Sequence, residues 1–151
     1  MRYSLTLCTL LLGANITFPA AVAAGTFVPW QADGYAIKHP LGGLSGDPLR
    51  GRDIVRNKDR GNCLACHHLP IPEEAFHGTV GPPLDLVATR LNEGQLRLRV
   101  ADEQRIVPDT VMPPYHRPLD DLNQVADDYY GKPLLTAQEL EDVVAYLMTL
   151  Q

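Results

Sequence analysis

Apolar side chains at Leu140, Val143, Val144 and Leu147 follow the i, i+3, i+4, i+7 spacing of a single helical face. Thr136-Ala137-Gln138-Glu139 stands just before them as a capping box, and the pattern predicts an amphipathic helix over residues 136–150. A shorter stripe, Leu96 and Val100, marks residues 92–103 as a second helix, with Asn92 as its cap, and residues 84–91 read as a further short one. Asp47-Pro48 opens another helix, combining an N-cap acid with proline in the first turn. Its inward residues are expected to be Leu49, Ile54 and Val55, and Gly61-Asn62 is expected to end it. No segment carries the period-two alternation of a strand, so the predicted class is all-α. Proline and turn residues set off residues 68–80 and 106–118 as loops, and residues 119–135 form an acidic, loop-like insertion. Residues 25–46 place Phe27, Trp30 and Tyr35 among glycines and prolines without a period. They read as an irregular arm laid over this domain or over a partner.

The first 24 residues stand apart. Arg2 supplies a charge, Leu5 to Leu12 an apolar run, and Ala20-Ala21-Val22-Ala23-Ala24 a small-residue cleavage region, the pattern of an exported signal peptide. That run is too short to span a bilayer. The organisation expected is therefore a signal at 1–24, the arm at 25–46 and one domain at 47–151, in the periplasm after cleavage. Arg2 is the only charge in the signal, so the net charge of −5 for the whole chain becomes −6 without it. No basic run is present, which argues against nucleic acid and anionic membranes as partners. Cys8 leaves with the signal, and Cys63 and Cys66 are the cysteines that remain. A small domain with so few cysteines needs some other apolar centre.

Those two cysteines belong to Cys63-Leu64-Ala65-Cys66-His67. C-x-x-C-H is the attachment signature of a c-type haem. Each thiol can add to one vinyl group, and the adjacent imidazole then reaches the iron. A bare C-x-x-C also serves as a redox dithiol or half a zinc site, but two cysteines and adjacent histidines make a poor tetrahedral set. One covalent haem c is expected, held by Cys63 and Cys66, with His67 on the iron. A ligating histidine needs an acceptor on its other ring nitrogen, and the carbonyl of Pro82, in Gly81-Pro82-Pro83-Leu84, is the candidate. Met112 lies in the rigid loop Val111-Met112-Pro113-Pro114-Tyr115-His116 and is the expected second axial ligand, with His116 as its competitor. Met148 suits a helix and a core better. His68 and His77 are expected on the surface, and Arg90, Arg97, Arg99 and Arg105 are candidates to meet haem propionates.

Taken together, Cys63 to His67, Gly81-Pro82-x-Leu84, the Met112 loop and a terminal helix bearing Ala145-Tyr146-Leu147 resemble a class I cytochrome c over residues 47–151. The chain is more closely similar to the SoxX family of monohaem cytochromes. That resemblance rests on Gly61-Asn62 before the haem motif, Gly78-Thr79-x-Gly81-Pro82, Met112-Pro113-Pro114-Tyr115 and Gly131-Lys132-Pro133-Leu134-Leu135-Thr136. The stretch from Glu141 to Leu147 resembles the family as well.

The resemblance implies a class I cytochrome c fold around one haem. It implies a SoxA-like cytochrome partner and, through the complex, a SoxYZ-like carrier whose cysteine is oxidatively joined to thiosulfate. It also implies a further cytochrome that takes the electrons. Within that division this chain is the electron-transfer subunit of an L-cysteine S-thiosulfotransferase and holds no catalytic residue of its own. A free-standing periplasmic electron carrier is the competing function.

Overall fold

The computed structural model describes residues 27–118 and 125–151. The expected signal peptide and the start of the acidic insertion lie outside the described residues. Three α-helices carry the architecture: α1 (Pro48–Arg56), α2 (Glu93–Asp102) and α3 (Ala137–Leu147). Single 3-10 turns and long connections join them, and among the described residues there is no β-strand, only an isolated bridge between Asp33 and Ala36.

Local sequence sets each helix start. The Asp47 carboxylate accepts from the N–H groups of Leu49 and Arg50, at 2.8 and 3.3 Å, satisfying two of the donors a first turn leaves open. Asn92 and Gln95 make a reciprocal capping box at α2, and Thr136 and Glu139 make another at α3. Leu140, Val143, Val144 and Leu147 are all buried, as their spacing requires. The helix itself stops at Leu147, three residues short of the expected end, and Leu150 instead accepts from the Ala88 N–H at 3.0 Å.

α1 crosses α3 at close range. A Cβ on Gly51 would stand 1.9 Å from the Asp142 carbonyl oxygen and 2.9 Å from the Tyr146 Cβ, so only glycine permits this approach. Gly51 and Val55 define the buried face of α1. Leu49 precedes Gly51 by two residues, about 200° round the helix, and is 75% exposed rather than inward-facing. The helix also ends earlier than expected, at Arg56, where the Asn57 N–H bonds to the Asp53 and Ile54 carbonyls. Gly61 and Asn62 close the following turn instead, with Asn62 in the left-handed region at φ 48°.

Two other expectations change. Residues 84–91 form no helix beyond the single turn Val87–Thr89. Leu135, expected to end the loop-like insertion, is instead anchored in the core: it is buried, and its N–H donates to the Tyr115 carbonyl at 2.8 Å.

The described part of the arm packs on its own domain. Ile37 and Leu41 are buried, and the Ile37 N–H donates to the Gly94 carbonyl at 2.9 Å. Trp30 Nε1 donates to the His116 carbonyl at 2.9 Å, while Tyr35 stays exposed. Arg97 is central to this docking. Fully buried, its Nε donates to both oxygens of Glu141, at 2.9 and 3.0 Å, and its Nη1 donates to the Ile37 carbonyl at 2.9 Å. Glu141 in turn accepts from the Leu41 N–H at 2.8 Å. One ion pair thus ties α2, α3 and the arm together, which removes Arg97 from the candidates for propionate contact.

Candidate functional site

The site begins at the turn that follows α1. Cys63–Ala65 is one 3-10 turn, and the His67 N–H bonds back to the Cys63 carbonyl at 2.9 Å, so both cysteines and the histidine sit on one tight bend. The loop 78–82 lies directly on that bend. Gly78 donates to the Leu64 carbonyl at 2.7 Å and Gly81 to the Cys66 carbonyl at 2.8 Å. A Cβ on Gly78 would come 2.0 Å from the Ala65 oxygen, so the two backbones meet where no side chain intervenes.

His67 is held by this arrangement. Its Nδ1 donates to the Pro82 carbonyl at 2.8 Å, which fixes the tautomer and leaves Nε2 as the free ring nitrogen. The proline can supply that acceptor and has no N–H to compete for it.

Cys63, Cys66, His67 and Met112 all line one cavity of about 490 Å³. That volume falls within the roughly 300–1,000 Å³ usual for cofactor sites. Its walls are apolar, contributed by Val55, Leu84, Val87, Leu91 and Leu96, with Val143 and Leu147 from α3. Burial pushes the Cys63 thiol up to about 12, helped by the nearby Cys66, so it stands protonated at neutral pH. Among the described residues no three His, Cys, Asp or Glu side chains gather into a metal-binding set. Two cysteines, a histidine with one oriented nitrogen free, a thioether and apolar walls suit a haem, and they suit a zinc ion poorly.

The Met112 loop is braced from both sides. The Met112 N–H donates to Thr110 Oγ1 at 3.2 Å, and the Tyr115 hydroxyl donates to the Gly61 carbonyl at 2.6 Å, joining this loop to the turn before Cys63. Burial pushes the Tyr115 phenol well above its usual range. His116 does not reach the cavity. It is fully buried, its Nδ1 donates to the Leu135 carbonyl at 2.8 Å, and its Nε2 accepts from the Val28 N–H at 3.2 Å. With both ring nitrogens engaged it has none left for a metal, and burial lowers its pKa. Met148 packs against the core and lies away from the cavity walls.

The remaining histidines separate. His68 is exposed and pairs with Asp85 at 2.9 Å, whereas His77 is only half-exposed, its Nδ1 accepting from the Leu69 N–H at 3.2 Å. Of the arginines, Arg90 and Arg99 line the cavity, and Arg105 lies over Trp30 with its Cζ 5.8 Å from the ring centroid. Glu103, also on the cavity wall, is the group that sequence reasoning passed over. Its i, i+4 spacing from Arg99 was the available signal.

The crystal structure of SoxXA from P. pantotrophus matches this chain at a TM-score of 0.74 and 36% sequence identity, over 80% of this chain and 93% of that one. The chain belongs to the SoxX family. No protein-family model matches it, and no curated protein does. The SoxX likeness covers most of the cavity-bearing chain, and the helical, strand-free architecture of the described residues accords with it. No helix among the described residues of this SoxX-family chain is long and apolar enough to cross a membrane.

Proposed function

We propose that this chain is the monohaem, electron-transfer subunit of a periplasmic SoxAX-like complex that oxidatively conjugates thiosulfate to a cysteine of a SoxYZ-type carrier. The observation that carries this reading is the convergence of Cys63, Cys66, His67 and Met112 on one apolar cavity, in a chain 36% identical to a SoxXA structure.

Cys63 and Cys66 would hold a c-type haem through thioether bonds, and His67 Nε2 and the Met112 sulfur would hold its iron. A haem bound there supplies a one-electron couple. The protein's own part is to orient and to exclude. The Pro82 carbonyl keeps the His67 ring in a single tautomer and raises its basicity as a ligand. Apolar walls limit water and lower the local dielectric, which shapes the potential. His67 and Met112 would both be taken up in holding a bound haem, which would leave no place for thiosulfate, so the chemistry of this chain would be outer-sphere electron transfer. No cysteine besides Cys63 and Cys66 lies beyond the signal, so the covalent sulfur step falls to a SoxA-like partner and the carrier. Electrons enter this chain from that partner and leave to another cytochrome.

An omission assay tests the reading. The carrier is incubated with thiosulfate, an electron acceptor, this chain and a SoxA-like subunit, each component left out in turn, and its mass is measured. Thiosulfate should add to the carrier only when both cytochromes are present. Full conjugation without this chain, or with this chain as the only cytochrome, contradicts the proposal.

A further inference from the structure

The largely apolar cavity wall carries one acid, Glu103, beside an arginine. At the C-terminal end of α2, Arg99 Nη1 donates to Glu103 Oε1 at 2.5 Å, and both residues line the cavity. Each keeps a second polar atom that is buried without a partner: Nε of Arg99 and Oε2 of Glu103. Glu103 is only 8% exposed. A buried polar atom without a partner keeps the full penalty of leaving water, so two of them side by side call for a ligand. One is a donor and the other an acceptor. A carboxyl group matches both: one oxygen accepts from Arg99 Nε, and the other shares a proton with Glu103 Oε2.

We propose that Arg99 and Glu103 form a carboxyl-binding pair that receives a haem propionate and shares one proton with it, so that the proton's occupancy follows the oxidation state of the iron. The inference rests on the haem reading above and adds a site and a coupling to it. On reduction, one electron arrives from the redox partner and one proton arrives from water at the Glu103–propionate pair. Oxidation returns both, and no other bond is made or broken.

The surrounding charges leave this role to Glu103. Arg90 also reaches the cavity, but its Nη2 donates to the Pro83 carbonyl at 2.9 Å. Asp102, fully buried, is balanced by Arg117 at 3.0 Å and Arg105 at 3.5 Å. Cys63, Cys66 and His67 line the cavity from the attachment bend, and Tyr115 from the Met112 loop. Burial raises the Glu103 carboxyl above its ordinary range, and Arg99 opposes it. A negative Glu103 favours the oxidised state, so the potential falls as pH rises through its titration.

The test is the midpoint potential of the haem-loaded chain, measured against pH by spectroelectrochemistry from about pH 4, the usual carboxylate range, to pH 9. Wild type should show a slope approaching one proton per electron over part of that range, and Glu103→Gln should flatten it while the haem stays attached. A flat wild-type profile, or the same slope in Glu103→Gln, overturns the proposal. If Glu103→Gln fails to mature, the redox-triggered infrared difference spectrum of wild type decides. A protonated-carboxyl band that shifts in heavy water supports the pair, and its absence overturns it. A chain that carries no haem at all would instead refute the functional reading, and mass analysis separates the two failures.

Discussion

A Cβ placed on Gly81 would stand 2.2 Å from Cε1 of His67 and 2.6 Å from its Nδ1. The loop backbone therefore rests against the imidazole, and the next residue supplies the carbonyl that orients it. Gly81→Ala forces the ring or the loop to move, and the ring can give way only by losing its bond to the Pro82 carbonyl. The expected cost is about 1–3 kcal/mol of stability, as for overpacking elsewhere. Thermal unfolding of the haem-loaded chain checks this: Gly81→Ala should melt earlier and show an altered haem spectrum. An unchanged melt and spectrum would mean that the loop does not hold His67.

Met112 is the methionine on the cavity wall, while Met148 packs outside it. A thioether on ferric iron gives a weak charge-transfer absorption in the far red and raises the potential. Met112→Ala should abolish the band and lower the potential, and Met148→Ala should leave both in place. The reverse pattern would move the ligand elsewhere. His116→Ala should also spare the band, since both ring nitrogens of His116 are engaged by Leu135 and Val28.

The buried pair of Arg97 and Glu141 makes a prediction about stability alone. Removing Glu141 leaves the buried Arg97 with Glu93, on the more exposed side of α2, as its remaining carboxylate, and leaves the Leu41 N–H without its acceptor. Glu141→Ala should lose about 3–5 kcal/mol in denaturant unfolding. Replacing both residues with apolar side chains of similar volume should cost clearly less. A loss under about 1 kcal/mol for Glu141→Ala, the scale of a surface pair, would show that the pair is not load-carrying.

Helix starts were legible in the sequence because a cap is local: Asp47, Asn92-x-x-Gln95 and Thr136-x-x-Glu139 each satisfy donors within their own first turn. The cavity-lining set of Cys63, Cys66, His67 and Met112 was nameable for a similar reason, since chemistry restricts which residue types can do such work. Long-range pairings were not legible. Nothing near Arg97 announces that its partner is Glu141, 44 positions away, so a structural arginine resembled a candidate for propionate contact. Leu49 was misplaced because the inward face of α1 is set by the approach of Gly51 to α3, which apolar counting does not register. Likewise no neighbour in sequence marks Glu103 as a cavity residue, because folding alone brings it to that wall.

The most direct test of the account is the intact mass of the chain after export in a host that attaches c-type haem. The account predicts a mass equal to the polypeptide plus one haem, retained under denaturing conditions, and no haem on the Cys63→Ala, Cys66→Ala double variant. A wild-type chain that emerges without haem, or a double variant that still carries it covalently, would contradict the account at its centre.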